Sequence, residues 1–189
     1  MDQPEDNDAL YMKLLRTIRL DPSDTFVFER AAEPGEWAVS GAFMFWASDT
    51  ARLEGKARTA FRNGLLGVVS FGHSTLVQIV DARPEDRTFL IDLLAQRLIE
   101  RCGAPDMHAA RLAAEDEVDF AQSLCSQPRD TLIAVHRSFD DGSIREQFRT
   151  LRPRQGKPPA RAFSFMEVEG DVEEPGETLD LIGIAGADK

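Results

Sequence analysis

Leu65–Cys102 reads LLGVVSFGHSTLVQIVDARPEDRTFLIDLLAQRLIERC, and its two halves carry different signals. The first half holds two β-rich runs, Leu65–Phe71 and Thr75–Val80, around Gly72-His73-Ser74, which predicts a tight antiparallel pair. In the second half Phe89, Leu90, Leu93, Leu94, Leu98 and Cys102 recur at three- and four-residue spacing, so one helical stripe faces a core. Pro84 suits the first helical position, Glu85 and Asp86 complement the positive helix end, and Gly103 and Pro105 stop the helix. A strand pair feeding a long amphipathic helix points to an α+β domain.

The flanking sequence repeats this alternation. A second helix is expected from about Asp106 to Ser126, with Ala110, Ala114, Val118, Ala121 and Cys125 on one side. Glu115, Asp116, Glu117 and Asp119 fill much of the rest and read as a solvated face, because consecutive residues point around a helix. Thr131–Phe139 and Ser143–Leu151 flank Asp141-Gly142, a strong hairpin signal, although Ile144, Phe148 and Leu151 also fit a helical period. Upstream, Lys13–Leu20 and Thr25–Phe28 read as strands on either side of the turn formers Asp21-Pro22-Ser23-Asp24. Trp37–Val39 and Ala42–Trp46 read as a hairpin about Ser40-Gly41. A helix capped by Ser48 or Asp49 is expected to run to Asn63 and stop at Gly64. Phe163–Val168 adds a last strand. Together these predict a mainly antiparallel sheet with two to three helices on one face.

The expected organisation is an acidic, disordered 1–12, a single α+β domain over 13–151, a basic Pro/Gly-rich linker over 152–162 and an acidic tail over 163–189. The formal charge of −11, from 22 bases and 33 acids, locates itself at the ends. Asp2, Glu5, Asp6 and Asp8, with eight acids against Lys189 from Glu167 onward, account for the whole excess and leave 21 acids and 21 bases between. An acidic total argues against nucleic acid and anionic lipid as partners. Arg145, Arg149, Arg152, Arg154, Lys157 and Arg161 face only Glu146, so a basic arm precedes the acidic tail and is expected to close onto it. The longest apolar stretches, Gly41–Ala47 and Leu65–Val69, fall short of the ~18 residues of a membrane span. Met1–Asp6 lacks the basic start and apolar core of a signal peptide, and two cysteines make no disulfide framework, so a reducing cytoplasm is the expected compartment.

Chemistry-bearing residues are scattered. Gly67–Ser74 has the spacing of a phosphate-binding P-loop, but His73 replaces the lysine that supplies a permanent charge and a strand, not a helix, follows. Val68-Val69-Ser70-Phe71-Gly72 lacks the first glycine and the following helix of a nucleophile elbow. His73, His108 and His136 make no metal spacing, and Cys102 and Cys125 read as small core residues, so no metal and no cofactor is expected. One reactive grouping is conceivable: His73 and Ser74 in a turn, with His136 and Arg137 on a strand, forming a small anion site if the two segments neighbour each other. Trp37 and Trp46, flanking Phe43-Met44-Phe45, offer an aromatic patch for a partner, and Arg152 and Arg154 a basic one.

Leu15-Arg16-Thr17-Ile18-Arg19, Ala31–Val39 and the helix pair up to Asp119–Cys125 resemble an uncharacterised family of short bacterial proteins of unknown function, over roughly Leu14–Leu151. The resemblance implies a cytosolic bacterial protein and no particular activity. The first expectation is therefore a non-catalytic accessory or adaptor protein that binds another protein, in enzyme assembly or maturation. The alternative is a small-molecule (anion) binder or weakly signed enzyme built on His73, His136 and Arg137.

Overall fold

Which strand neighbours which is settled by a single connecting residue. The computed structural model describes residues 11–152 and 167–169, and its strands form one sheet: β1 (Met12–Ile18), β2 (Trp37–Val39), β3 (Leu65–Gly67), β4 (Gly72–Ser74), β5 (Leu76–Ala82), β6 (Leu132–Asp140), β7 (Ser143–Arg152) and β8 (Glu167–Glu169). Their order is β4-β3-β2-β1-β5-β6-β7-β8, with every named neighbour antiparallel. Only Thr75 separates β4 at one edge from β5 in the interior. The order is satisfied only if the sheet curls, so that β3 and β1 flank successive stretches of one run of chain. Leu14 and Leu15 are adjacent, point to opposite faces of β1 and are both fully buried, so the sheet is covered on both sides at its centre.

Helices α3 (Pro84–Cys102) and α4 (Met107–Ser123) form an antiparallel pair, with α4 against β1 and β2. Leu90, Ile91, Leu94, Ala95 and Leu98 of α3 and the alanine stripe of α4, with Val118, are buried in one core with the sheet. The expected signals hold: the Asp86 carboxylate accepts from the Arg83 backbone N–H, Gly103 closes α3 in the left-handed region, and Asp106 caps α4 by accepting from the Ala109 N–H at 2.8 Å. The β6–β7 hairpin turns on Asp141 and Gly142, both at positive φ, so the strand reading of Ser143–Leu151 prevails over the helical one.

Four stretches depart from expectation. Thr25–Phe28 is not a strand but the end of a short helix, α1 (Ser23–Val27). The preceding turn prevails, because the Asp21 carboxylate accepts from the Ser23 N–H and the Pro22 carbonyl accepts from both the N–H and the hydroxyl of Thr25. Ala42–Trp46 does not return as a hairpin strand, since β2 already has β1 on one side and β3 on the other. Gly41, at φ +80°, turns the chain instead into a 3-10 turn over Ala42–Phe45; a Cβ there would lie 2.5 Å from that of Leu66. The helix expected from Ser48 begins only at Gly55, as α2 (Gly55–Asn63), after a 3-10 turn at Thr50–Arg52. Leu65–Phe71 and Thr75–Val80 do not pair with each other: Val68–Phe71 is the turn between β3 and β4, which pair, while β5 lies between β1 and β6, so His73 sits on a strand opposite Leu66 rather than in the turn. Of the expected last strand, residues 163–166 lie outside the described residues, and β8 pairs with β7. Residues 1–10, most of the 152–162 linker and the rest of the acidic tail also lie outside them. Among the described residues no helix is long and apolar enough to cross a membrane.

Candidate functional site

The sequence singles out His73, Ser74, His136 and Arg137, and the folded chain separates them. Alternation along β6 turns Arg137 inward and His136 outward, where the His136 ring is exposed, 3.4 Å from the Asn63 side-chain oxygen. Ser74 is buried in a second local network, within hydrogen-bond distance of Asp24, Ile18 and Leu76 oxygens. The same Asp24 carboxylate accepts from the hydroxyl and N–H of Thr75, which anchors α1 at the point where β4 becomes β5.

Arg137 is the largest fully buried side chain among the described residues. Its Nε donates to Glu146 Oε1 at 2.7 Å, Nη1 to the carbonyls of Phe61 and Gly64, and Nη2 to the carbonyl and hydroxyl of Ser40. A guanidinium has five N–H donors, and all five are used. The Ser40 hydroxyl in turn donates to Glu146. Glu117 accepts from the Gly41 N–H at 2.7 Å, and burial raises its carboxyl above the usual range, so it is not part of a solvated face. Burial pulls the Arg137 pKa down and Glu146 opposes that pull. This cluster ties the end of α2, the end of β2 and β7 together, and it leaves no donor for an external anion.

His73 differs. Its ring lies between those of Phe28 and Phe45, with centroids at 5.7 and 6.0 Å, and Gly64 makes room for it, since a Cβ there would fall 2.7 Å from His73 Cδ2. Burial, and then the nearby Arg137 charge, lowers its pKa to about 4, so the imidazole is neutral. Its Nε2 is buried and has no hydrogen-bond partner. Arg19 and Arg97 also leave a buried Nε unpaired, but their terminal nitrogens are bonded, whereas no hydrogen bond reaches the His73 ring among the described residues.

His73 is part of the wall of a cavity of about 620 Å³. Three cations share that wall: Arg30, just after α1; Lys56, in the first turn of α2; and Arg101, in the last turn of α3. Arg30 is held there by its backbone, because its carbonyl accepts from the His73 N–H at 2.8 Å and the Ala32 N–H returns the bond to the His73 carbonyl. Among the described residues Glu29 is the one carboxylate lining the cavity and none of the three cations forms an ion pair, although the Arg30 guanidinium donates to the Ser70 carbonyl at 3.3 Å. Arg101 instead sits 5.5 Å over the Phe71 ring. Phe71, also in the wall, is held at φ +57°, a strained conformation for a bulky residue. The turn that forces it is pinned by Glu36, which accepts from the N–H and the hydroxyl of Ser70.

The aromatic pair also parts. Trp37 is buried on β2 beneath the Arg16 guanidinium, 3.8 Å from its ring centroid, whereas Trp46 is 80% exposed. Arg152 ends β7 bonded to the Gln127 side chain, and Arg154 lies outside the described residues. Cys102 is an exposed and Cys125 a buried free thiol, and among the described residues no group of three His, Cys, Asp or Glu side chains is placed to hold a metal ion. Arg30, Lys56 and Arg101 were not legible as a site: 71 positions separate the first from the last, with no spacing motif.

No curated protein and no solved structure matches the chain. A family of unknown function, DUF6505, matches residues 12–164, which include the Arg137 cluster and the whole wall of the cavity, and the chain belongs to that family.

Proposed function

We propose that this protein binds a small anionic molecule in the cavity walled by His73, Arg30, Lys56 and Arg101. The observation that carries the reading is three cations around one hollow, lined by Glu29 as its one acid, with no ion pair to any of the three among the described residues, in a chain whose net charge is −11. A cavity of about 620 Å³ is of ligand size. Two arginines and a lysine suit a carboxylate or phosphate, which a guanidinium meets with paired donors. The neutral imidazole adds one polar group with an unmet hydrogen bond, which costs about 1–3 kcal/mol when buried. This departs from the P-loop geometry, since the cations come from three separate elements and not from a loop before a helix.

Calorimetric titration with sulfate, inorganic phosphate and acetate tests the proposal. At least one of these is expected to bind, and Arg30→Gln with Lys56→Gln is expected to weaken it tenfold or more while the circular dichroism spectrum stays unchanged. An anion at 100 times its dissociation constant adds about 2.7 kcal/mol of stability, visible as a rise in melting temperature. Equal binding by the parent and the double variant would end the proposal.

A second reading, an accessory protein that docks on another protein during enzyme assembly or maturation, is supported by the exposure of Trp46. It predicts a stoichiometric complex from native cells that Trp46→Ala disrupts. Two free cysteines and the absence of a membrane-crossing helix among the described residues support a reducing, cytoplasmic setting for either reading.

A further inference from the structure

The cationic cavity has a neighbour. A second hollow of about 700 Å³, predominantly apolar, lies between the 3-10 turn Ala42–Phe45 and the ends of α3 and α4, walled among others by Phe43, Trp46, Leu98 and Ala113. Met44 and Arg101 line both hollows. We infer that the two are halves of one site, whose ligand is an anion carrying an apolar tail, with its head at Arg30 and Lys56 and its tail along Phe43, Met44 and Trp46. The inference rests on the anion-binding reading and adds the chemistry of the rest of the ligand.

Three features support it. The charge balance of the two hollows differs: Arg30 and Lys56 against Glu29 line the first, Asp116 and Glu117 the second, with Arg101 shared at the junction, so an anionic head is favoured at the first end. That fixes the orientation, and it leaves the apolar wall for the tail. Trp46 at 80% exposure and half-buried Phe43 and Met44 present apolar surface that a tail would remove from water. The residue between the halves is Met44, an unbranched and adaptable side chain that can repack around a chain of variable length. Arg101, whose guanidinium lies over Phe71, closes the junction with a cationic group that also tolerates aromatic contact.

The test is a titration series of inorganic phosphate, butyl phosphate, octyl phosphate and octanol, each below its micelle concentration. Each methylene that enters the second hollow is expected to tighten binding about fourfold, and octanol is expected to bind at least a hundredfold more weakly than octyl phosphate. Ala113→Phe places a ring from the exposed surface of α4 into the second hollow. It is expected to abolish the dependence on chain length and to leave inorganic phosphate unchanged. Trp46→Ala is expected to lessen that dependence without affecting the fold. Inorganic phosphate and octyl phosphate binding equally would overturn this inference and leave the anion-binding reading intact, whereas binding by neither would remove both. Octanol matching octyl phosphate would overturn the assignment of the head. A free amphiphile is favoured over a bilayer because the hollows take a molecule and not a surface, so phosphatidylglycerol vesicles are expected to sediment without the protein, and co-sedimentation would overturn that choice.

Discussion

Arg137 and His73 lie within electrostatic reach of each other and meet opposite conditions. Around Arg137 every donor has an acceptor, the charge has Glu146 beside it, and the acceptors include backbone carbonyls at the end of α2 and the end of β2. Around His73, among the described residues, the ring has no hydrogen bond and the three cations that share its cavity form no ion pair. A buried charge is tolerated when its pairing is complete, and a completed pairing has nothing left for a ligand. The His73 ring is the reverse: its buried Nε2 without a partner is unfavourable in the free protein, while the exposed Arg30, Lys56 and Arg101 beside it are hydrated and open to an anion. The buried arginine thus reports architecture, whereas the less buried histidine borders the cavity proposed above to take an anion, although the sequence suggests one anion site for both.

The largest effect should come from breaking the closed side. Arg137→Ala strands Glu146, Ser40 and two helix-end carbonyls in the interior, at an expected cost of about 3–5 kcal/mol. Urea denaturation would show it as a lowered midpoint at constant slope. Arg137→Lys should recover little, because three donors on a point charge cannot replace five in a plane. A loss below about 1 kcal/mol for Arg137→Ala would mean that water satisfies the cluster, and the contrast with His73 would fail.

How much of this was legible depended on whether the signal was local. Pro84, the apolar stripe of α3, Gly103 and Asp141-Gly142 act within a few residues of themselves, and these elements appear where the sequence puts them. Thr25–Phe28 and Ala42–Trp46 were misread because aromatic, β-prone residues were weighed without their neighbours: a turn network holds the first, and a strand already paired on both sides excludes the second. Of the candidate site only His73 was legible, as a residue type; Arg137 stood out equally and lies in a closed cluster instead, and Arg30, Lys56 and Arg101 meet only because the fold carries the stretch after α1, α2 and the end of α3 to one place. Glu117 looked like one of a run of solvated acids, and only its inward position on α4 shows otherwise.

On the open side, His73 supplies a smaller and pH-dependent effect. Its pKa falls from about 6.5 unfolded to about 4 folded, so the unfolded chain takes up the proton first as pH drops. The stability it supports is complete above pH 6.5, declines as pH falls toward 4 and changes no further below that. Between pH 6.5 and 5, before most carboxylates titrate, the decline is roughly 2 kcal/mol. His73→Phe should flatten this slope in denaturation measured at each pH. Arg137 acts on the ring directly, and among the described residues Arg30, Lys56 and Arg101 line its cavity against one acid, Glu29, so an anion in the cavity lifts the His73 pKa. Saturating sulfate should therefore flatten the wild-type slope as well. A slope that sulfate leaves untouched would separate His73 from the cavity and reduce it to a packed ring.

The smallest effect belongs to Trp46, and its smallness is informative. An indole that packs in the core, as Trp37 does beneath Arg16, is held by many contacts, whereas one at 80% exposure has few to lose. Trp46→Ala should change stability by no more than about 0.5 kcal/mol in urea. If the loss exceeds about 1 kcal/mol, the indole is a structural lid on the second hollow and not an open wall of it, and the closed and open regions would no longer divide between Arg137 and the cavity. If stability holds while octyl phosphate binding weakens, the residue contributes to the ligand and not to the fold. That is the distinction the Arg137 and His73 clusters draw on their polar side, extended to an apolar group.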